Sequence, residues 1–577
     1  MLIATRIVPP NFDATGFEQI KPYLDALLSR VVASGVELEE WILDRSELFA
    51  AIGESRANLY ITMTCNTEDV AARDAYLAYV EHVAPKLAPA YFELDKALVA
   101  HASRNPLDEA RYGVLLRSAR ADIELFRQEN VPLETELAVL GQRYEELCGA
   151  MTVNFDGSEK PLPQMARYQE LTDRATREAA WKAVVDRRLQ DAAAIDSIYD
   201  EMVALRTQVA ANADMSSFIP FAYKSKHRFD YGPAECAQFH DACEAHVVPL
   251  VRALEQERKA ALGVDVLRPW DLSVDVKGRG PLRPFEGGRD LMTKAVASFG
   301  RLSPALAQMF TKLGDGSEQR GSAGGACLDL DSRKGKAPGG YQYMRDRSRK
   351  PFIFMNAAGL QRDVETMVHE AGHAFHSMLA EAEPIVEYRS APIEFCEVAS
   401  MAMELLSMPH WKGTYYNNEE EYRRACRQNI KQSVMLLPWI AQIDAFQHWV
   451  YAHPGHSAAE RRAAWIDLDR RFGSSCSWEG LEDARENLWQ RQLHLFGMPF
   501  YYIEYGIARL GALQLWLISL TQGEERAIEL YTKGLSLGGS KPLPALFEAA
   551  GLAFDFGPVA VERLTRAAAA ELAKLPE

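Results

Sequence analysis

The chain is predicted to be mainly α with one small β insertion, and three observations lead there. Long stretches rich in Ala, Leu, Glu, Gln and Arg place apolar residues at three- and four-residue steps. Gly, Pro and Asp concentrate between about residues 263 and 356, and that window contains two short extended runs. From about Gln361 almost to the end, helical patterning returns.

Taken in order, the first long helical stretches are Leu115 to Arg143, with a break expected at Pro132, and Gln164 to Asn212. Within the second, Trp181, Val184, Val185, Leu189, Ile195, Ile198 and Met202 form one apolar stripe. Residues 233–262 repeat the pattern after Tyr231-Gly232, and no internal repeat has a solenoid period. "GRGPLRPFEGGRD" and "GDGSEQRGSAGG" read as loops. "ACLDLD" and "PFIFMN" read as strands, the latter with Phe352 and Phe354 on one side. No Pro/Gly/Ser-rich linker marks a boundary. The expected division is a helical N-terminal domain, 1–190, and a second domain, 191–577, holding the inserted sheet at about 325–356.

Composition narrows the function classes. With 577 residues, 48% hydrophobic and 25% charged, the chain is ordinary globular material, large enough for an enzyme. The longest apolar run, Leu495 to Ile503, is far too short to cross a bilayer. "MLIATRIVPPNF" lacks a basic region followed by an apolar core, so no signal peptide is expected. Eight cysteines without a C-x-x-C pair fit a reducing compartment, and a cytoplasmic location is expected. A net charge of −16 repels phosphate backbones and argues against nucleic-acid binding.

The most informative segment is "GLQRDVETMVHEAGHAFHSMLAE", which contains an H-E-x-x-H motif at His369-Glu370-Ala371-Gly372-His373. At four-residue spacing both imidazoles leave one helix face, about one turn apart, able to grip one Zn²⁺. Glu370 lies beside them, placed to take a proton from an activated water. The metzincin pattern fails, because the positions it reserves for Gly and a third His hold His376 and Leu379. His376 lies seven residues from His369, about 10 Å along a helix, too far for both to reach one ion. A hydrogen bond behind the ligands, a substrate contact or a plain structural role remains for it. Downstream, "YRSAPIEFCEVASMAMELL" opens another helix, with Ser390 as a candidate cap. Its Glu397 and Glu404 share a face, so that one can bind metal while the other orients a ligand imidazole, and Glu394 reads as a solvated surface residue.

These residues resemble the zinc oligopeptidases of the thimet oligopeptidase and oligoendopeptidase F group, nearest to the oligoendopeptidase F branch. The resemblance rests on "HEAGHAFH" and "FCEVAS", where Glu397 stands twenty-four residues after His373, at the family's third zinc ligand. "LDLDSRKGKAPGGYQ" is similar to the family's Asp-x-x-x-Arg-x-Gly-Lys loop, "PFIFMN" to its active-site edge strand, and "HLFGMPFYYIEYGIARLG" to its His followed by a tyrosine cluster. The matching segments cover about residues 325–510. Ala371 departs from the Phe common in the thimet branch, as does the spacing from His494 to the tyrosines.

The resemblance implies a large helical two-part body around a deep substrate channel, with one zinc per chain held by His369, His373 and Glu397. It implies a peptidase acting on short unfolded peptides, with Glu370 as general base. Tyr501 and Tyr505, four apart on a helix expected to begin after Pro499, then become candidate oxyanion donors, with His494 beside them and Tyr502 turned about 100° away. Tyrosines at such spacing are also common core residues. Strand 351–356, including Phe354, would pair with an extended peptide. The segment "KGKAPGGY" would form a mobile loop in which Gly339 and Gly340 permit close approach and Tyr341 covers the substrate. His376 and Glu404 would support the ligands. The competing readings are a helical zinc carboxypeptidase, a peptide-binding protein with an inactive site, and a helical repeat scaffold without metal.

Overall fold

The computed structural model describes residues 6–317 and 325–575. The first five residues of the N-terminal stretch, and residues 318–324 of the loop "GDGSEQRGSAGG", lie outside the described residues. The described residues are mainly helical, with two small sheets. Among the described residues, no helix is long and apolar enough to cross a membrane.

The chain divides into two compact units. The first comprises residues 1–126, 281–429 and 508–554; the second comprises 127–280, 430–507 and 555–577. Residue 190, where the sequence places a boundary, lies inside the second unit, at the end of helix Arg174–Gln190.

In the first unit, five N-terminal helices between Phe17 and Leu125 enclose a core that includes Leu38, Trp41, Ile42, Leu94 and Leu98. Ile385 and Tyr388, almost 300 residues further along, are buried in the same core. Polar contacts make the join specific. Arg45 pairs with Asp95 at 2.6 Å and with Glu387 at 2.8 Å, and the Tyr388 hydroxyl donates to the Arg111 carbonyl at 2.9 Å. These long-range pairs, invisible to local patterning, tie the first 126 residues to the segment carrying the metal motif.

Two strands, β1 (Thr152–Phe155) and β2 (Ser158–Pro161), form a hairpin in the second unit. Its turn is Asp156-Gly157, both at positive φ, as a tight hairpin turn of this type demands. The Asp-Gly pair is the sequence signal for this hairpin.

In the first unit, β3 (Leu328–Asp331), β4 (Tyr341–Arg345) and β5 (Lys350–Ala357) form a sheet of order β3-β5-β4, parallel on one side and antiparallel on the other. This corrects one expectation: "PFIFMN" is the central strand, and the edges are β3 and β4. With a strand on each edge, and helices Gly35–Cys65 and Gln361–Leu379 packed against it, nearly all of β5 is buried. Phe352 and Phe354 face Ile61 and Cys65 of helix Gly35–Cys65, with Tyr341 and Tyr343 of β4 alongside. The alternating Tyr341-Gln342-Tyr343 is the strand signal that identifies β4.

The helical stretches hold with shifted ends. The break expected at Pro132 falls at 126–129, because Pro132 sits in the first turn of helix Asn130–Gly149, where its missing N–H costs nothing. Residues 164–212 begin with the 3-10 segment Leu162–Glu170 before helices Arg174–Gln190 and Ala192–Asn212.

Candidate active site

Two helices of the first unit build the site. The histidine helix, Gln361–Leu379, begins where the Asp363 carboxylate accepts from the Leu360 N–H at 2.9 Å. The glutamate helix is Ile393–Leu406, with Pro392 at its cap position, so Ser390 lies just outside it. Glu394, expected on the surface, is buried.

The two helices touch at Gly372. A Cβ there would lie 2.4 Å from the Ala399 carbonyl oxygen and 2.5 Å from the Ser400 Cα. Only a residue without a side chain permits this approach, and the approach brings Glu397 up to the histidines. Gly372→Ala is expected to lower stability by about 1–3 kcal/mol and zinc retention with it, read from a melting curve and metal analysis of the same sample.

His369, His373 and Glu397 offer ligand atoms that all lie within 4.8 Å of one another. Glu397 Oε2 stands 3.4 Å from His369 Nε2 and 3.8 Å from His373 Nε2. Tetrahedral ligands about 2.1 Å from a zinc ion stand about 3.4 Å apart, so this donor set fits that metal. Glu397 and His373 already hold the protonation states of ligands, whereas His369, although burial lowers it, is raised well above the usual imidazole range by Glu397 and Glu404. Burial pushes Glu397 up, but the His373 and His369 imidazoles prevail and hold it at about 2, an ionised carboxylate. Burial brings His373 down to about 4, leaving it neutral, as a ligand must be.

Behind the ligands runs a relay. His369 Nδ1 meets Glu404 Oε1 at 2.7 Å, and Arg509 Nη1 donates to Glu404 Oε2 at 2.8 Å. The Glu404 contact fixes the His369 ring so that Nε2 faces Glu397. Ser400 Oγ donates to Glu397 Oε2 at 3.1 Å. Neither Arg509 nor Ser400 was singled out in the sequence, although an Arg inside the apolar run "YGIARLGALQLW" was a usable signal.

Glu370 is buried, and burial raises its carboxyl to about 7. The Gln342 backbone N–H of β4 hydrogen-bonds it, and a Cβ on Gly340 would lie 3.9 Å from Glu370 Oε1. The chain thus passes close to the candidate base where it has least bulk. Gly339, at φ +97°, makes the turn leading there.

The loop ahead of Gly339 is pinned. Arg333 holds Asp329 with two bonds, at 2.5 and 2.7 Å, and the fully buried Lys336 ammonium meets Asp329 Oδ1 at 2.8 Å. Asn356 Nδ2 donates to the carbonyls of Ala337 and Gly339. Tyr341, expected to cover a substrate, instead stacks on Phe354 and shares a 2.6 Å hydrogen bond with Thr64. Phe354 itself is wholly buried, so its side chain does not line an open surface. Asp329→Ala would strand two cations, one of them fully buried, and is expected to cost about 3–5 kcal/mol in a denaturant titration.

His376 is buried, with Nδ1 3.6 Å from Cys396 Sγ and Nε2 without a hydrogen-bond partner among the described residues. Among the described residues its hydrogen-bond contact is Cys396.

The aromatic candidates gather in the second unit. The His494 ring centroid lies 5.6 Å from that of Tyr501, 5.0 Å from Tyr502 and 5.8 Å from Tyr505. The helix there begins at Ile503, not after Pro499, so Tyr501 and Tyr502 precede it, and the helical argument that turned Tyr502 away does not apply. Phe500, at φ +60°, makes the bend, and its carbonyl accepts from Arg228, which also pairs with Glu504 at 2.5 Å.

The second unit contains another set of convergent ligand atoms, from Cys236, Asp444 and His448. Tyr223 OH bonds both Cys236 Sγ and His448 Nε2, and Asp444 Oδ2 pairs with His240 at 2.9 Å, while Asp444 Oδ1 has no hydrogen-bond partner among the described residues.

A helical protein with a His-Glu-x-x-His pair and a converging glutamate is the class that fold and site define. Comparison with known proteins agrees: residues 167–557 match Peptidase family M3, and residues 11–126 match the Peptidase M3 N-terminal domain. The chain belongs to Peptidase family M3. Oligopeptidase PepF of Bacillus subtilis is 26% identical over 315 residues, 52% of this chain and 43% of its own length. An oligoendopeptidase F homolog of Borreliella burgdorferi is 24% identical over 307 residues, 52% of this chain and 49% of its own. The chain thus matches somewhat under half the length of these curated relatives. The solved structure of PZ peptidase A with inhibitor 2 is similar over 98% of both chains, with a TM-score of 0.88 and 26% identity. The oligoendopeptidase-F of Enterococcus faecium shares the fold at a TM-score of 0.65 and 15% identity, over 97% of both chains.

Proposed function

We propose that this protein is a zinc metalloendopeptidase of the oligopeptidase kind, cutting short unfolded peptides internally. The observation that carries the reading is the convergence of His369, His373 and Glu397, with buried Glu370 beside the edge of β4. A zinc ion held there would supply Lewis-acid activation of a water and of the scissile carbonyl. Glu370 takes the proton from the attacking water and passes it to the leaving amine. A carboxyl raised to about 7 is suited to both transfers near neutral pH.

The strand edge supports the substrate class. A peptide pairing with β4 beside Gly340 must be extended, so a stably folded protein offers no backbone to it. The edge role expected of strand 351–356 passes to β4, because β5 already has a strand on each side. The names of the curated relatives, oligopeptidase and oligoendopeptidase F, point the same way. Eight free cysteines accord with a reducing, cytoplasmic setting.

Digestion of a mixed peptide library, with products read by mass, tests the reading. Internal cuts in short peptides, in blocked-end as well as free-end substrates, are expected. Strict removal of one C-terminal residue would favour the carboxypeptidase reading, and absence of cleavage by zinc-loaded protein would favour the peptide-binding one. The oxyanion donor is assigned to Tyr501 or Tyr505 on the family's tyrosine motif. Tyr501→Phe or Tyr505→Phe is expected to lower kcat about 10²–10³-fold with KM nearly unchanged. Wild-type kcat in both variants would move the assignment to His494 or Tyr502.

A further inference from the structure

The apolar stripe of helix Arg174–Gln190 does not all pack into a core. Trp181, Val184, Val185 and Leu189 line a cavity of about 480 Å³ whose walls belong entirely to the second unit. That volume lies within the roughly 300–1,000 Å³ of small-molecule sites. Two more tryptophans, Trp439 and Trp478, join the lining, with the Trp181 and Trp478 ring centroids 6.1 Å apart.

The charges lining this cavity are unequal in their pairing. Asp469 is taken by Arg485 at 2.5 Å and by Gln442 at 3.2 Å, and Glu255 accepts from Ser474 and Ser475. Arg188 and Arg491 line the same cavity, and among the described residues neither guanidinium has a carboxylate or other hydrogen-bond acceptor. Arg491 is exposed and lies over the Trp439 ring at 5.0 Å, and Arg188 is half-buried. The protein crowded around Arg491, and then the like charge of Arg188, lower its pKa although solvent still reaches it. The cavity is therefore aromatic in its walls and carries two arginines that no carboxylate among the described residues pairs, whereas both of its carboxylates already accept hydrogen bonds.

We propose that this cavity binds an apolar carboxylate, its aromatic or aliphatic body among Trp181, Trp439 and Trp478 and its anionic end paired with Arg188 and Arg491. A planar guanidinium matches a carboxylate with two parallel bonds, and an anion would relieve the repulsion between the two arginines. A neutral isostere of the ligand gains neither. The inference stands apart from the zinc reading, since no residue of that site takes part.

Titration calorimetry on the full-length protein tests it, with N-acetyl-tryptophan, N-acetyl-tryptophanamide and decanoate as probes. The titrations are run on zinc-loaded and on chelator-treated protein, so that a carboxylate bound to metal is told apart. At least one acid is expected to bind in both preparations, and N-acetyl-tryptophan at least tenfold more tightly than its amide if it is the acid bound. Arg188→Gln and Arg491→Gln, checked for an unchanged melting temperature, are expected to weaken that acid at least tenfold. Binding of N-acetyl-tryptophan alone would assign the site to peptide ends, and binding of decanoate alone to acyl chains; either supports the proposal. Equal affinity for N-acetyl-tryptophan and its amide, no binding of either acid, binding only when metal is present, or unchanged binding in both folded arginine variants would overturn it.

Discussion

Glu370→Gln is expected to leave the protein folded and zinc-loaded while turnover falls about 10²–10⁴-fold. Gln preserves the size of the side chain and removes only the basic oxygen, and His369, His373 and Glu397 keep their positions. Burial already disfavours the charged form of this carboxyl, raising it to about 7. Stability should therefore stay level or rise slightly at alkaline pH, where the ionised carboxylate costs most. Near-normal hydrolysis by a variant shown to contain zinc would remove Glu370 from the mechanism.

Glu397→Ala is expected to take metal content from about one zinc per chain to near zero after dialysis, and activity with it. Three donors converge here, and Glu397 is the anionic one, held at about 2 by the imidazoles it faces. Its loss removes both a ligand and the charge that balances the cation. His376→Ala provides the contrast. Among the described residues that ring's hydrogen-bond contact is Cys396, so metal content should persist and only packing should suffer. If His376→Ala emptied the site while Glu397→Ala did not, the third ligand would be misassigned.

The parts of the site that were legible are those that depend on spacing along one element. Four residues of helix place His369 and His373 on one face whatever surrounds them, and seven do the same for Glu397 and Glu404. The loop motif Asp329-x-x-x-Arg333-x-Gly335-Lys336 was also visible, but its meaning was not. Only the structure makes it a buried ion cluster closing the turn that leads to Gly340. Arg509 escaped notice because its partner Glu404 is more than a hundred residues away. The edge role implied for 351–356 came from the resemblance; β3 and β5 are similar apolar runs, and which one lies in the middle depends on where β4 pairs.

By itself the sequence determined the helical character, the presence of an inserted sheet and the pairing of the two histidines, since each follows from a period of a few residues. Only the tertiary structure decided that Gly372 is where two helices meet, that β4 is the edge beside Glu370, and that Arg188 and Arg491 share an aromatic cavity. It also decided that the first 126 residues join the unit carrying the metal motif, through Arg45, Arg111 and Tyr388. The reason is physical. A local period constrains dihedral angles and faces, whereas an approach between distant segments is set by shape and charge that no window of a few residues contains.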